Sequence, residues 1–107
     1  MEATISTRVL GLVGLGLRGR LVVVGVERVR EAARRGRLSL ALVASDASRN
    51  SLEKVVPLLK AKGVRVVDGL ETAALGRAVG REATAVIGIV DAQLAKGIRG
   101  IVDAVRT

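Results

Sequence analysis

The sequence predicts an α/β domain in which a four-stranded sheet carries helices on both faces. Three observations predict it. Short apolar runs alternate with segments of helical period along the whole 107 residues. Two of those runs, Leu38–Ala44 and Thr84–Val90, are apolar or small on both faces, as strands covered by two layers are. Gly36, Gly63 and Gly80 each follow a helical segment, at the place where a left-handed residue ends a helix. Alternation favours a parallel sheet and leaves room for an antiparallel strand. The length supports one core and not two, so residues 1–107 are expected to form a single domain.

The elements follow in order. Ile5–Leu17 is a first helix, with Ser6 or Thr7 near its start. Gly11, Gly14 and Gly16 weaken it by up to about 1 kcal/mol each relative to alanine, so packing must hold it. Leu21–Val24 is strand one. In Gly25–Arg35, Val26, Val29, Ala32 and Ala33 recur at helical spacing and charges fill the other face, which makes helix two. Leu38–Ala44 is strand two. A polar turn, residues 45–50, leads to helix three, for which Asn50 with Glu53 fits a capping box. Leu52, Val55, Val56 and Leu59 form its apolar stripe, and Pro57 inside it should kink it by removing a donor. Val64–Val67 is strand three, an edge or near-edge strand because Arg65 interrupts its apolar run. Helix four covers about Glu71–Val79, and Thr84–Val90 is strand four. Asp91 caps helix five, where Leu94, Ile98, Ile101, Val102 and Val105 repeat.

Composition excludes whole classes of chemistry. The chain has no His and no Cys, which removes imidazole catalysis, thiol chemistry, disulfides and Cys/His metal sites. It has no aromatic residue, so no base can stack on a ring. Net charge is +8, carried mostly by arginine; that is either a solvated surface or the footprint of a polyanion, usually nucleic acid. Val9–Leu17 has the length of a short signal-peptide core, but Glu2 precedes it and Arg18-Gly19-Arg20 follows where small residues should stand. No run approaches the ~18 apolar residues that span a bilayer. The protein is expected to be soluble and cytoplasmic, with no membrane partner.

Motifs for small-molecule chemistry fail on context. Gly14-Leu-Gly16-Leu-Arg-Gly19 matches the dinucleotide pattern G-x-G-x-x-G, yet a strand-like run follows it instead of a helix, and arginines occupy the place of the expected acid. It reads as a glycine-rich helix and turn. Ser45, Ser48 and Ser51 have no His to activate them. Asp46 with Glu53, or Asp68 with Glu71, could be paired carboxylates, but turns and helix starts are where such residues cap helices. No cofactor, no catalytic residue and no metal site is expected.

The order of motifs resembles a known family. It consists of the helix-two segment Gly25–Gly36, the run Ser45-Asp46-Ala47-Ser48 after strand two, Val56-Pro57-Leu58-Leu59, Leu75-Gly76-Arg77-Ala78-Val79-Gly80, and Ala85–Val90. These resemble the kink-turn RNA-binding ribosomal protein superfamily of the L-seven-Ae and L-thirty-e type. Ser45–Ser51 and Asp91–Ile98 look most like its bacterial YlxQ-like branch. The resemblance implies a three-layer α-β-α sandwich around a four-stranded mixed sheet. It also implies RNA contact through helix two and the loop after helix four.

Carried over residue by residue, the site departs from the family pattern. Kink-turn binders place Asn, Glu and Lys on the first turns of helix two, where they read sheared G·A pairs and a phosphate. The matching residues here are Glu27, Arg28 and Glu31, while Gly25 and a later arginine, Arg35, are kept. The loop after helix four carries Arg81 and Glu82 where the family has apolar residues; an arginine plane can still stack on a base. Arg18, Arg20, Arg28, Arg35, Arg77 and Arg81 would supply phosphate contacts. The expected function is therefore that of a non-catalytic, ribosomal-protein-like, monomeric RNA binder with structured RNA as partner and no small-molecule cofactor. The alternative is a protein-interaction module of the same fold that has lost specific kink-turn recognition.

Overall fold

A computed structural model describes residues 1–104; Val105, the last position of the expected helix-five stripe, lies outside the described residues. The elements run α1 (Ala3–Arg18), β1 (Val22–Val24), α2 (Val26–Arg34), β2 (Leu40–Val43), α3 (Arg49–Ala61), β3 (Val66–Val67), α4 (Thr72–Ala78), β4 (Val86–Ile89) and α5 (Ala92–Asp103). The strand order is β1-β4-β2-β3. β4 is antiparallel to both of its neighbours and β2 is parallel to β3, so the sheet is mixed and the fold is the three-layer sandwich.

Each strand's alternation sends its side chains to one of the two packed faces of the sheet, each with its own hydrophobic cluster. Val22, Val24, Leu40, Leu42, Ile87 and Ile89 point to the side where α1, α4 and α5 supply Val9, Val13, Leu75, Val79, Ala95 and Ile98. Ala41, Val43 and Val86 point to the opposite side, onto Val29 and Ala33 of α2 and Val55 and Leu59 of α3. Gly88 makes the second packing close. A Cβ there would lie 2.6 Å from Leu38 Cδ2 and 3.3 Å from Val29 Cγ2, so only glycine lets α2 settle onto β4 at this distance. Gly16 does the same for α1, since a Cβ would meet Leu94 Cδ2 at 2.5 Å and Val22 Cγ1 at 3.0 Å. Two glycines of the dinucleotide-like pattern, Gly14 and Gly16, thus lie within α1, and Gly19 is its C-cap.

Helix starts differ from expectation in two places. α1 begins at Ala3, before Ser6 and Thr7, because the Glu2 carboxylate accepts from the Thr4 amide at 2.7 Å and caps the helix. The Ser6 and Thr7 hydroxyls instead donate back to the carbonyls of Glu2 and Ala3, one turn earlier. α3 begins at Arg49, and its cap is Ser48, not Asn50: Ser48 keeps extended dihedrals while Asn50 is already helical, and its hydroxyl accepts from the Ser51 amide. α3 then runs through Pro57, which is exposed, so water can reach the Glu53 carbonyl that loses its donor. Asp91 caps α5 as expected, accepting from the Leu94 amide at 2.8 Å.

β3 is an edge strand, and Arg65 beside it is not simply turned to solvent. Its guanidinium forms a two-pronged pair with Asp103 at 2.8 and 3.2 Å, which raises the Arg65 pKa and ties the edge to the end of α5. Among the described residues no helix is long and apolar enough to cross a membrane.

Candidate nucleic-acid interface

The candidate interface begins at the joint between β1 and α2. Gly25 adopts φ 96° and ψ 161°, a region essentially closed to residues with a Cβ. Its amide donates to the Val86 carbonyl at 3.0 Å and its carbonyl accepts from the Val29 amide at 3.1 Å. Gly25 therefore ends the sheet ladder and starts the helix within one residue. It offers no side chain to cap α2, so the first-turn amides face outward toward any acceptor that arrives.

Charge is concentrated just beyond that joint. Between Val26 and Arg37 there are five arginines and two glutamates. Val29, Ala32 and Ala33 face the core, which forces the charged residues outward. Arg28, Glu31 and Arg35 follow one another at spacings of three and four and form one stripe. Glu31 and Arg35 pair at 3.1 Å with both side chains more than half exposed, so solvent screening leaves this contact little stabilising energy.

The stripe forms one wall of a groove of about 390 Å³ between α2 and the edge strand β1. Arg20, Arg28, Arg35 and Arg37 surround it with Glu31, and Val23, Ala32 and Val90 line it with apolar surface. Arg20 reaches it from the α1–β1 turn. This residue sits at φ 60°, unusual for a side-chain-bearing residue, and the turn is closed by Arg20 N–H to Leu17 O and Leu21 N–H to Gly16 O.

The loop after α4 arrives at the same place from the other side. The Arg81 amide donates to the Gly76 carbonyl at 2.8 Å, and the Thr84 amide donates to the Thr72 carbonyl at 3.1 Å. The loop lies so close over α4 that a Cβ on Gly76 would be 2.6 Å from the backbone of Ala83. Held in this way, Arg81 places its Nη1 3.9 Å from where a Gly25 Cβ would be. The start of α4 is itself fixed from a distance. The Asp46 carboxylate accepts from the Thr72 amide at 2.7 Å and from its hydroxyl at 3.1 Å, and the backbone hydrogen bond holds its pKa below the usual aspartate range.

Among the sequence-expected site residues, Gly25 and Arg81 lie together, and Arg20, Arg28, Glu31 and Arg35 share the groove. Glu27 is exposed on the first turn of α2. Arg18 and Arg77, in the last turns of α1 and α4, and Glu82, in the loop after α4, are exposed and form no part of the groove wall. Sequence reasoning passed over Arg37, which becomes a groove residue only because Gly36, at φ 68°, turns the chain back along α2. It also passed over Arg30, whose guanidinium donates to the Lys54 carbonyl and so links α2 to α3.

With this geometry established, similarity to known proteins is informative. The model of the ribosomal protein L7Ae/L30e/S12e/Gadd45 family matches residues 8–99. The RNA-binding protein YlxQ of Bacillus subtilis (strain 168) is 34% identical over 92 residues, covering 86% of this chain and 92% of that protein. Among solved structures, a Bacillus halodurans protein of unknown function superposes with a TM-score of 0.82 at 29% identity, covering 90% of this chain and 97% of that one. The Giardia lamblia 15.5kD RNA binding protein superposes with a TM-score of 0.78 at 27% identity, covering 99% of this chain and 91% of that one.

Proposed function

The chain belongs to the ribosomal protein L7Ae/L30e/S12e/Gadd45 family, and from that premise we propose a non-catalytic, ribosome-associated protein that holds structured RNA with the N-terminal end of α2 and the loop after α4. Two of its relatives are named as RNA-binding proteins, which supports the same activity here. The observation that carries the reading is the placement of Arg81 beside Gly25, which joins two segments 56 positions apart into one basic surface. Gly25 lets RNA approach the backbone. Arg18, Arg20, Arg28, Arg35, Arg77 and Arg81 neutralise phosphates, and Glu82 flanks Arg81 on the loop. The protein acts as a monomer in the cytoplasm and needs no cofactor.

Within this function a standard kink-turn is a poor ligand. Glu27 accepts but cannot donate as asparagine does. Arg28 replaces an acceptor for a guanine edge by a donor, and Glu31 stands where a lysine would meet phosphate. A misread position costs on the order of 1–3 kcal/mol in nucleic-acid recognition. The test is a titration of wild type and of the triple variant Glu27→Asn, Arg28→Glu, Glu31→Lys against one kink-turn RNA, and against the same RNA with its G·A pairs made Watson–Crick. The triple variant should gain G·A-dependent affinity. Nanomolar, G·A-dependent binding by the wild type would refute the reading of these three positions.

A further inference from the structure

We propose that the groove between α2 and β1 receives one unpaired guanine of the bound RNA, read by Glu31. The inference rests on the RNA-binding reading above and adds what this part of the surface recognises.

Glu31 is the residue that points to it. Four arginines surround the groove, an arrangement suited to phosphate, yet a carboxylate stands among them. A carboxylate repels phosphate and accepts hydrogen bonds only. Its natural partner on RNA is an edge with two adjacent donors. Among the four bases only guanine offers that on its Watson–Crick edge, through N1–H and the N2 amino group. Arg35 pairs with Glu31 from one side at 3.1 Å, and the Glu31 side chain remains 61% exposed, so the carboxylate is reachable by a ligand in the groove.

The rest of the groove fits a base with its sugar and phosphate. A volume of about 390 Å³ falls in the range of roughly 300–1,000 Å³ typical of small-ligand sites. Val23 and Val90 are half-buried, and with Ala32 they give an apolar surface against which a base can lie. Arginine planes supply the stacking that the missing aromatic residues cannot. Arg20 and Arg37 stand at the same groove, away from the helix N-terminus, and neutralise the phosphates on either side of the extruded nucleotide. The groove is thus the continuation, along the β1 side of α2, of the surface that starts at Gly25.

The experiment is an NMR titration of isotope-labelled protein with the RNA pentamers UUGUU, UUAUU and UUIUU, where I is inosine, and with 5′-GMP alone. The guanine pentamer should shift the amides of Val23, Ala32 and Arg37 and bind about tenfold or more tightly than the adenine pentamer. Inosine, which lacks the N2 amino group, should fall between them. Glu31→Gln should abolish the guanine preference while retaining binding of the adenine pentamer, and Arg37→Ala should weaken all three pentamers alike. Equal binding of all pentamers, or a guanine preference that survives Glu31→Gln, overturns the inference. Binding of GMP as tight as that of UUGUU also overturns it, since the ligand would then be a free nucleotide. The amides of Gly25 and Arg81 report the wider reading separately. Shifts there without guanine dependence at the groove leave RNA binding standing and remove this inference; guanine-dependent groove shifts without them support the inference and count against the helix N-terminus.

Discussion

Gly76→Ala should both destabilise the protein and weaken RNA binding, although it replaces glycine by the best helix former inside a helix. Helix propensity alone would reward the change by about 1 kcal/mol. The structure opposes it. The new Cβ would stand 2.6 Å from both the N and Cα of Ala83 and 2.9 Å from the Arg81 carbonyl oxygen, about 1 Å inside the ~3.5–4.0 Å optimum for carbon contacts. All three atoms are backbone, so no side chain can rotate away. Overpacking of this kind costs typically about 1–3 kcal/mol, and backbone clashes belong at the upper end. The net loss is then about 2 kcal/mol, or a fall in Tm of roughly 8 °C for a domain of this size. The strain is relieved by lifting residues 81–83, which carries Arg81 away from Gly25. RNA affinity should therefore fall at temperatures where the variant is fully folded, and Gly76→Ala and Arg81→Ala should not be additive because they remove the same contact. Urea denaturation and RNA titration measure both effects. Gly11→Ala is the control of opposite sign: it lies in α1 with nothing within 4 Å of a new Cβ, and should stabilise by about 0.5–1 kcal/mol. If Gly76→Ala behaves like Gly11→Ala, the loop is not held as described.

Three further outcomes follow from particular residues. Gly25→Ala, whose Cβ would meet the Arg81 Nη1 at an unstrained 3.9 Å but whose φ is 96°, should cost about 1–3 kcal/mol through backbone strain, as measured by denaturant midpoint. RNA affinity should drop steeply between about 50 and 200 mM salt, because arginine–phosphate contacts dominate where no aromatic stacking exists; a nearly flat salt dependence removes phosphate neutralisation as the mechanism. Asp46 has a folded-state pKa below its ordinary value, so its contribution is present above the ordinary aspartate range and is lost as pH falls through the depressed value. Asp46→Asn should lower Tm near neutral pH and reduce the loss of Tm on acidification, read by thermal melts from neutral pH down into the acid range.

Much of the fold could be read from periodicity, and the exceptions share a physical cause. Gly25, Gly36, Gly63 and Gly80 mark element boundaries because their positive φ is a local requirement, visible in the residue itself. The sheet's direction was less visible. β1, β2 and β3 all run the same way, as strand–helix alternation predicts, and only β4 is reversed. β4 enters from the end where β2 finishes and pairs Val86 with Val43, a direction that the alternation of strands and helices does not encode. Partners distant in sequence were not legible at all. The Asp46 cap on Thr72 joins residues 26 apart, and the pair Arg65–Asp103 joins residues 38 apart. No local pattern encodes either contact.

The candidate site divides along the same line. Family-matched positions on α2 could be named because they sit on one contiguous helix. The groove could not, because Arg20 and Arg37 lie on separate turns, each closed by its own local hydrogen bonds, that meet only when β1 and α2 pack together. That difference changes the meaning of Glu31. Read along the helix alone, it is a charge of the wrong sign facing a phosphate. Placed beside Val23, Val90, Arg20 and Arg37, it is an acceptor at an arginine-rimmed groove with an apolar lining. A carboxylate in that position reduces attraction for phosphate in general and favours a base edge that can donate. Under the function proposed above, the departures at Glu27, Arg28 and Glu31 point to an RNA other than a standard kink-turn, because four arginines still surround Glu31 at the groove.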